Sequence, residues 1–245
     1  MKHVVFEIVS NRALTDSVYE MVLAGDTSAI TRPGQFVELS LEGLFLRRPI
    51  SVCNYDEGKL TLIYKVVGKG TEQMAHLTQG TKIDALTGLG NGFNDETKCN
   101  APLLVGGGVG VPPLYRLTRN LIAKGKQVTV VLGFNTAAEI FYREQFEALG
   151  AKVIVATADG SYGVKGFVTD AIKESGAKAD YFYSCGPLPM LRALTTALDI
   201  DGEISLEERM GCGFGICMGC SIMTTAGAKR VCKEGPVFKK EEIVW

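Results

Sequence analysis

Short apolar runs separated by glycine and proline make up most of the first hundred residues. The runs are HVVFEIVS, VYEMVLAG, GQFVELSL, PISVCNY, KLTLIYKVVG and TKIDALTG. Runs of this length, rich in Val, Leu, Ile and Tyr and bounded by turn residues, are typical of strands. They predict an antiparallel barrel of about six strands over residues 1–98. One helix is predicted there, from Thr71 to Thr78, with Thr71 as its N-cap.

The rhythm changes after residue 98 to strand, turn and helix. The apolar strands PLLVGG, QVTVVLGF, KVIVAT and YFYSC alternate with helices predicted near 112–124, 138–149, 168–175 and 190–198. Such alternation predicts a doubly wound parallel sheet over residues 99–201. Residues 202–245 have little hydrophobic periodicity, and we expect a small subdomain there that needs a bound group for stability. The predicted fold class is therefore a β-barrel plus α/β.

Composition and charge narrow the classes of function. The chain is 46% hydrophobic and 22% charged, the balance of a folded protein with a core. Its 26 Lys and Arg against 27 Asp and Glu leave no basic field for a nucleic acid. The longest uncharged apolar stretch is interrupted by glycines and prolines and is shorter than the roughly 20 residues of a membrane span. We expect no nucleic-acid or membrane partner, no signal peptide and a cytoplasmic location.

Four of the seven cysteines lie close together near the C-terminus. Cys212, Cys217, Cys220 and Cys232 form the pattern C-x4-C-x2-C-x11-C. This spacing is that of plant-type 2Fe-2S proteins, and the glycines among the cysteines free the backbone to wrap a cluster. A structural zinc site is the alternative, although zinc sites more often contain two closely spaced pairs. Analysis of iron and acid-labile sulfide distinguishes the two.

A second motif is RRPIS, at Arg47–Ser51, followed by IYK at Ile63–Lys65 and GKGT at Gly68–Thr71. An arginine, a hydroxyl, strand backbone and a helix start are the parts needed to hold a flavin and its pyrophosphate. Taken alone, RPIS is also compatible with an ordinary strand entry. Its position relative to the other motifs favours the flavin interpretation.

A third motif, PLLVGGGVGVPPLY, is an apolar strand that leads through glycines into a helix opened by proline. The glycines are Gly106, Gly107, Gly108 and Gly110. Such a turn lets a dinucleotide pyrophosphate approach the amides of the helix start. Val111 departs from the GxGxxG pattern, and a tight turn without a ligand is the alternative. No acid directly ends the next strand and no basic pair stands there, which favours NAD over NADP only weakly.

A fourth motif, SCGPLPM, follows the last clear strand of the predicted sheet. Cys185, Gly186 and Pro187 would lie at its carboxyl end, where doubly wound folds bind ligands, and could face a nicotinamide ring. A buried, unreactive thiol is the alternative for Cys185.

The order of these motifs resembles the ferredoxin-NADP reductase family over the first 200 residues. With ERMGCGFGICMGC included, the whole chain resembles the electron-transfer subunits of class 1B dihydroorotate dehydrogenases. The resemblance implies that the four clustered cysteines ligate 2Fe-2S and that NAD is the second substrate. It also implies a set of FAD-binding residues: Arg48, Pro49, Ile50, Ser51, Ile63, Tyr64, Lys65, Gly70 and Thr71.

The resemblance further implies a catalytic partner that carries FMN in a TIM barrel, with two copies of each subunit in a heterotetramer. Electrons from dihydroorotate would reach the partner's FMN, pass singly through the cluster to FAD, and leave as hydride to NAD in pyrimidine (UMP) biosynthesis. No side chain is assigned as an acid or base. A diaphorase subunit of a hydrogenase or of a ferredoxin:NADP oxidoreductase is a related alternative. A non-enzymatic redox or nucleotide sensor is an alternative of a different class.

Overall fold

Six antiparallel strands close into a barrel at the N-terminal end of the chain. The structure is a computed structural model and describes residues 1–245. The strands are β1 (Lys2–Ala13), β2 (Val18–Ala24), β3 (Phe36–Leu39), β4 (Arg48–Asp56), β5 (Lys59–Lys65) and β6 (Lys82–Leu89). Their order around the barrel is β1-β2-β5-β4-β3-β6, and β6 pairs with β1 to complete the closure. The predicted barrel is confirmed.

Alternation of side chains accounts for the barrel interior. Along β1, Val4, Phe6 and Ile8 are buried while the residues between them are exposed. A period of two places every second side chain on the same face of a strand. Leu60 and Leu62 of β5 fill the same interior, so the barrel has its own apolar core.

The helix between β5 and β6 starts earlier than the sequence predicts. Helix α1 spans Lys69–Ala75 and its N-cap is Gly68, so the prediction of Thr71 as N-cap is wrong. Thr71 is instead the third helical residue, and its hydroxyl accepts the amide hydrogens of Val67 (2.9 Å) and Gly68 (3.3 Å). The extended backbone of Gly68 turns the chain into the helix, and the Thr71 side chain then reaches back to satisfy the preceding amides.

The second half contains a seven-stranded sheet and a small hairpin. Its strands are β7 (Pro102–Gly107), β8 (Thr129–Phe134), β9 (Lys152–Thr157), β10 (Val164–Lys165), β11 (Tyr181–Cys185), β12 (Gly202–Ser205), β13 (Ser221–Thr224), β14 (Gly227–Arg230) and β15 (Val237–Lys239). The sheet order is β10-β9-β8-β7-β11-β12-β15, and only β15 runs antiparallel to its neighbour. Strands β13 and β14 form the hairpin.

Helices cover both faces of this sheet, as a doubly wound fold requires. They are α2 (Pro113–Ala123), α3 (Arg143–Ala148), α4 (Val168–Ser175) and α5 (Leu188–Ala197). Helices α2 and α3 pack in one apolar core, whereas α4 and α5 pack in another on the opposite face. The predicted fold class is confirmed. None of the helices is long and apolar enough to cross a membrane.

The helix predicted at 138–149 is broken, so that prediction is wrong. A short 3-10 turn covers Ala137–Glu139, and α3 begins only after Tyr142, whose φ of 63° is left-handed. Phe141 and Tyr142 are buried in the core shared with the barrel. The Tyr142 hydroxyl donates a hydrogen bond to Glu20 on strand β2 (2.5 Å). Packing against the barrel therefore interrupts the helix.

The segment expected as a separate subdomain also belongs to the sheet. Strand β12 pairs in parallel with β11, and β15 then closes that edge. Residues 206–236 between them carry the four clustered cysteines and the hairpin. The expected boundary at residue 202 thus falls inside the sheet, and the division into three domains stays a prediction.

We predict that Tyr142→Phe lowers the free energy of unfolding by about 1–3 kcal/mol, because it leaves a buried carboxylate oxygen of Glu20 without its partner. Tyr115→Phe is the matched control, since its ring packs against Tyr142 (5.2 Å between centroids) and its hydroxyl has no hydrogen-bond partner. Urea unfolding of the purified protein measures both. Equal losses in the two variants would contradict the prediction.

Candidate functional site

A cation and a helix start converge at one end of the barrel. Arg48 opens strand β4, and its side chain lies over Gly70 in the first turn of α1. A Cβ atom on Gly70 would come within 2.9 Å of Arg48 Cδ and would overlap the guanidinium. The first amides of a helix have no intrahelical acceptor. Arg48 and Gly70 therefore form a cradle for an anionic group, and this cradle fits the pyrophosphate of FAD.

The other residues expected at FAD lie around this cradle but differ in what they present. Ser51 is half-buried on β4, as are Pro49 and Ile50. Tyr64 lies inside the barrel, where its hydroxyl donates to Asn11 (2.9 Å), and Ile63 is equally buried. These two residues can offer only backbone atoms. The Thr71 hydroxyl is already hydrogen-bonded to the amides before the helix. Thr71 can therefore offer only its backbone amide, as is the case for Ile63 and Tyr64.

A cavity of about 610 Å³ lies between the barrel and the carboxyl edge of the sheet. Its volume is within the usual range for ligand pockets. Three of the four predicted turn glycines line it: Gly107, Gly108 and Gly110. Gly186 and Pro187 line it as well, and Lys65 contributes from the barrel. The cavity therefore contains most of the residues expected at NAD, together with one expected at FAD.

Two glycines of the turn are needed for close packing. A Cβ on Gly106 would lie 2.9 Å from a methyl group of Val111, so Gly106 supports the turn from behind rather than lining the cavity. A Cβ on Gly110 would lie 2.5 Å from the backbone nitrogen of Gly186. The turns after β7 and β11 can touch only because Gly110 has no side chain. This close approach leaves backbone amides at the cavity wall, which fits a dinucleotide pyrophosphate.

Cys185 does not line the cavity. Its side chain is 2% exposed, and burial together with the charge of Glu207 raises the pKa of its thiol to about 12. A thiol in this state is protonated and unreactive. Any contact of Cys185 with the coenzyme would therefore involve its backbone, while Gly186 and Pro187 form the surface of the turn.

Several cavity residues have no counterpart in the sequence motifs, and Glu139, Phe167 and Glu207 are among them. The Glu207 side chain is exposed and lines the open space of the cavity. Glu139, Phe167 and Glu207 come from three separate loops, and only the folded sheet brings them to one cavity. With Lys65, the two glutamates are the only ionisable side chains that line the cavity.

The four clustered cysteines come together as two pairs. The backbone amide of Cys217 donates to Cys212 Sγ (3.5 Å), so Cys212 and Cys217 are neighbours, and an amide bond joins Cys220 and Cys232 in the same way. Backbone amides point at the sulfurs: Ile216 donates to Cys212 Sγ (3.3 Å), and Cys232 donates to Cys220 Sγ (3.4 Å). Amide hydrogen bonds of this kind are the usual surroundings of iron-bound thiolates.

The loop also prepares one cysteine as a thiolate. Burial alone would raise the pKa of the Cys212 thiol, but amide hydrogen bonds from Cys217, Phe214 and Ile216 outweigh it and lower the pKa to about 6. Left-handed φ angles at Gly213 (74°), Gly215 (93°) and Met218 (62°) let the backbone curl around the sulfurs. Gly213 and Gly215 thus give the loop the backbone freedom that the sequence predicts.

The pairing bears on which metal group fits. A 2Fe-2S cluster needs two thiolates on each of two irons, whereas structural zinc needs four ligands around one ion. The two separate pairs therefore fit 2Fe-2S better than zinc.

The cysteine loop packs directly on the barrel. Gly213 lies against Glu38 of strand β3, and a Cβ on this glycine would come within 2.6 Å of Glu38 Cγ. Glu38 is 1% exposed and its Oε1 has no hydrogen-bond partner. Burial raises the pKa of its carboxyl to about 7, although Arg47 opposes the shift. Glu38 pairs in register with Pro49 of β4, so the loop adjoins the strand expected at FAD.

Comparison with protein families supports both the iron-sulfur and the NAD-binding interpretation. The iron-sulfur cluster binding domain of dihydroorotate dehydrogenase B matches residues 207–244, and the oxidoreductase NAD-binding domain matches residues 104–196. The chain is 46% identical over 251 residues to the dihydroorotate dehydrogenase B (NAD(+)) electron transfer subunit of Bacillus mycoides, covering 97% of this chain and 96% of that protein. The protein of the same name from Bacillus pumilus is 44% identical, with 99% and 98% covered.

Solved structures agree in fold. A chain of the NADH-dependent reduced ferredoxin-NADP oxidoreductase, described in connection with flavin-based electron bifurcation, superposes with a TM-score of 0.89 at 31% identity. The superposition covers 98% of this chain and 90% of that chain. A cytochrome P450 reductase from Amycolatopsis superposes with a TM-score of 0.71 at 23% identity, covering 80% and 65%. The second likeness shows the fold alone.

We predict that Gly70→Ala lowers the affinity for FAD by about tenfold or more, because the new methyl group displaces the Arg48 guanidinium and one charge-assisted contact is worth roughly 1.5–3 kcal/mol. Gly68→Ala is the matched control, since a Cβ there meets nothing within 4 Å. FAD titration of the flavin-stripped protein, followed by flavin fluorescence, measures both. The assignment of Arg48 is wrong if Gly70→Ala binds FAD as tightly as the control.

For the cysteine loop, we predict about two irons and two acid-labile sulfides per chain, the content of one 2Fe-2S cluster. Serine at any one of the four clustered cysteines should remove most of the iron and the visible absorption. Serine at Cys99, a buried cysteine outside the loop, should leave both unchanged. Stoichiometric zinc without visible absorption would overturn the iron-sulfur interpretation.

Proposed function

The chain belongs to the family of dihydroorotate dehydrogenase B electron transfer subunits, and from this membership we propose how its residues carry electrons from a catalytic partner subunit to NAD+. Identity of 46% over 97% of the chain supports the membership. The observation that carries the proposal is the cavity, because a residue expected at FAD and the turns expected at NAD line the same space.

The bound groups divide the chemistry by electron number. FAD exchanges two electrons as hydride with a nicotinamide and single electrons with an iron-sulfur cluster. The chain holds and orients these groups: Arg48 and the start of α1 bind the FAD pyrophosphate, and the four clustered cysteines bind the cluster. Gly107, Gly108 and Gly110 bind the NAD pyrophosphate. Hydride transfer itself needs no acid or base from the protein.

The cavity walls orient the nicotinamide. Hydride transfer needs donor and acceptor atoms about 3–3.5 Å apart. Gly186 and Pro187 at the end of β11 face the cavity opposite Lys65 of β5, so a nicotinamide against the turn points towards the barrel. Cys185 is buried beneath this turn and does not line the cavity. The apolar side chains of the cavity exclude water from the ring.

The order of the groups follows from the packing of the cysteine loop. Gly213 contacts Glu38 on β3, and β3 pairs with β4, which begins at Arg48. A cluster in the loop therefore adjoins the FAD-binding end of the barrel, while NAD approaches from the sheet. With a cluster and FAD bound, the cysteine loop would be the entry point for single electrons and the cavity the exit point for electron pairs.

We place the partner over the exposed part of the cysteine loop. Ile216 is 75% exposed, Met218 is 54% exposed, and Cys217 between them is exposed as well. Apolar side chains at the point where an electron must enter fit a protein partner better than solvent. The partner is the FMN-containing catalytic subunit, with two copies of each subunit in the assembly. None of the seven cysteines forms a disulfide, which fits a reducing cytoplasm.

A second candidate function is favoured by one observation. The chain from the NADH-dependent reduced ferredoxin-NADP oxidoreductase is 31% identical and superposes over 98% of this chain. The same modules would then serve a ferredoxin-linked complex. The two functions differ in the partner that delivers or accepts single electrons.

Anaerobic reduction of NAD+ by dihydroorotate tests the proposal, with this chain mixed with the FMN-containing dihydroorotate dehydrogenase subunit of the same organism and each alone as control. We predict activity only in the mixture. Met218→Glu should lower it at least about tenfold, because a buried unpaired charge opposes docking, while Val9→Glu on the exposed face of β1 should not.

Two other outcomes would contradict parts of the proposal. NADH-dye reduction without dihydroorotate coupling, in protein with intact FAD and cluster, would assign the chain to another complex. Coupling that survives Met218→Glu with unchanged assembly would place the partner elsewhere.

A further inference from the structure

A half-buried arginine connects the two cysteine pairs of the loop. Arg230 ends strand β14, two residues before Cys232. Its side chain crosses to the segment between Cys212 and Cys217, where Nη1 donates a hydrogen bond to the carbonyl of Gly215 (2.5 Å). The sequence motif marks only the cysteines and glycines of this region, so the contact is visible only in the folded chain.

The peptide group between Gly215 and Ile216 relays the charge of Arg230 to a sulfur. Its carbonyl accepts a hydrogen bond from the Arg230 guanidinium, and its amide, that of Ile216, donates to Cys212 Sγ (3.3 Å). Hydrogen bonds in a chain polarise one another, so a cation on the carbonyl oxygen makes the amide of the same peptide a stronger donor. Arg230 thus acts on Cys212 through one peptide group.

Glu234 fixes the direction of the guanidinium. Its carboxylate accepts hydrogen bonds from Arg230 Nε (3.0 Å), from Arg230 Nη2 and from the backbone amide of Arg230 (2.7 Å). The planar fork of an arginine lets two of its nitrogens bind a carboxylate while the third binds elsewhere. Nη1 is therefore directed at the Gly215 carbonyl before any group is bound.

Arg230 also lies near the second cysteine pair. Hydrogen bonding to Glu234 raises the pKa of Arg230, and the charges of Cys232 and Cys220 raise it further. An arginine side chain stays a cation in proteins, so its effect does not depend on a titration. The guanidinium therefore acts on one pair through the Gly215–Ile216 peptide and on the other through its charge.

We propose that Arg230 is a positioning residue of the cluster site, which holds the Gly215–Ile216 peptide and raises the reduction potential of a 2Fe-2S group bound by the four clustered cysteines. The inference rests on the iron-sulfur part of the proposed function. A 2Fe-2S group gains one negative charge when it accepts one electron from the partner's FMN, and it loses that charge when it passes the electron to FAD. Amide hydrogen bonds and positive charge favour the more negative state, so Arg230 favours acceptance of the electron. Glu234 opposes this effect because it is an anion.

Anaerobic redox titration of the FAD- and cluster-loaded protein measures the effect, with the EPR signal of the reduced cluster as the readout. Arg230→Gln removes the charge and should lower the equilibrium constant for one-electron reduction about tenfold, a fall of about 59 mV in the potential. Glu234→Gln removes the opposing anion but keeps an oxygen for the guanidinium, and it should raise the potential. Opposite signs indicate charge, because a loop that is only loosened would shift in the same direction in both variants.

Lys229→Gln is the matched control. It removes a cation from the same strand, but Lys229 pairs with Glu242 (2.5 Å) and not with the cysteine loop. Successive side chains of a strand face opposite sides. We therefore expect this variant to change the equilibrium constant by less than about twofold, which is about 18 mV for one electron.

The outcomes separate this inference from the proposed function. Wild-type protein that binds zinc and no iron would overturn the iron-sulfur part of the proposed function. Intact clusters with the same potential in Arg230→Gln as in Lys229→Gln would overturn the role of Arg230 alone. If Arg230→Gln does not load iron, Glu234→Gln decides, and an unchanged or lowered potential in that variant would overturn the role as well.

Discussion

The contact between Gly213 and Glu38 joins the cysteine loop to the barrel, and the order of the redox groups depends on it. Only glycine fits there, because a side chain would overlap the glutamate and the φ of 74° is left-handed. Glu38 is buried with one carboxyl oxygen unpartnered, which costs about 1–3 kcal/mol. A raised pKa of about 7 lessens that cost, since the neutral carboxyl tolerates burial better than the carboxylate. The contact thus keeps the loop beside the strand that begins at Arg48.

Local sequence patterns predicted those parts of the fold that local interactions determine. The six barrel strands follow from short apolar runs bounded by turn residues, and α4 spans the predicted Val168–Ser175. Prediction failed where distant contacts decide the structure. Phe141 and Tyr142 break a helix because the barrel offers them an apolar site and a hydrogen bond to Glu20. Strands β12 and β15 have four and three residues, too few for a recognisable period, and they form because the sheet edge pairs with them.

The candidate site shows the same division. The cysteine spacing and the glycine turn lie within single short segments, so their chemistry could be predicted from the sequence. The direction of a side chain could not be predicted on a strand that is covered on both faces. Ser184 and Cys185 are both buried, and no sequence pattern indicates which one faces the ligand. Glu139 and Glu207 come from loops far apart in the chain, and they line the same cavity only in the folded protein.

The two cysteine pairs of the cluster site differ in their exposure to solvent. Cys220 and Cys232 belong to the same apolar core as Phe36 and Leu89 of the barrel, so this pair is rigid and shielded from solvent. Cys217 of the other pair is exposed beside Ile216 and Met218. A group held by both pairs therefore reaches from the core of the chain to its surface. Hydrogen bonding and solvent exposure set the potential of an iron-sulfur group, and the two pairs differ in exposure. A partner that covers the exposed pair would exclude water there, and docking and electron entry would then be coupled at one surface.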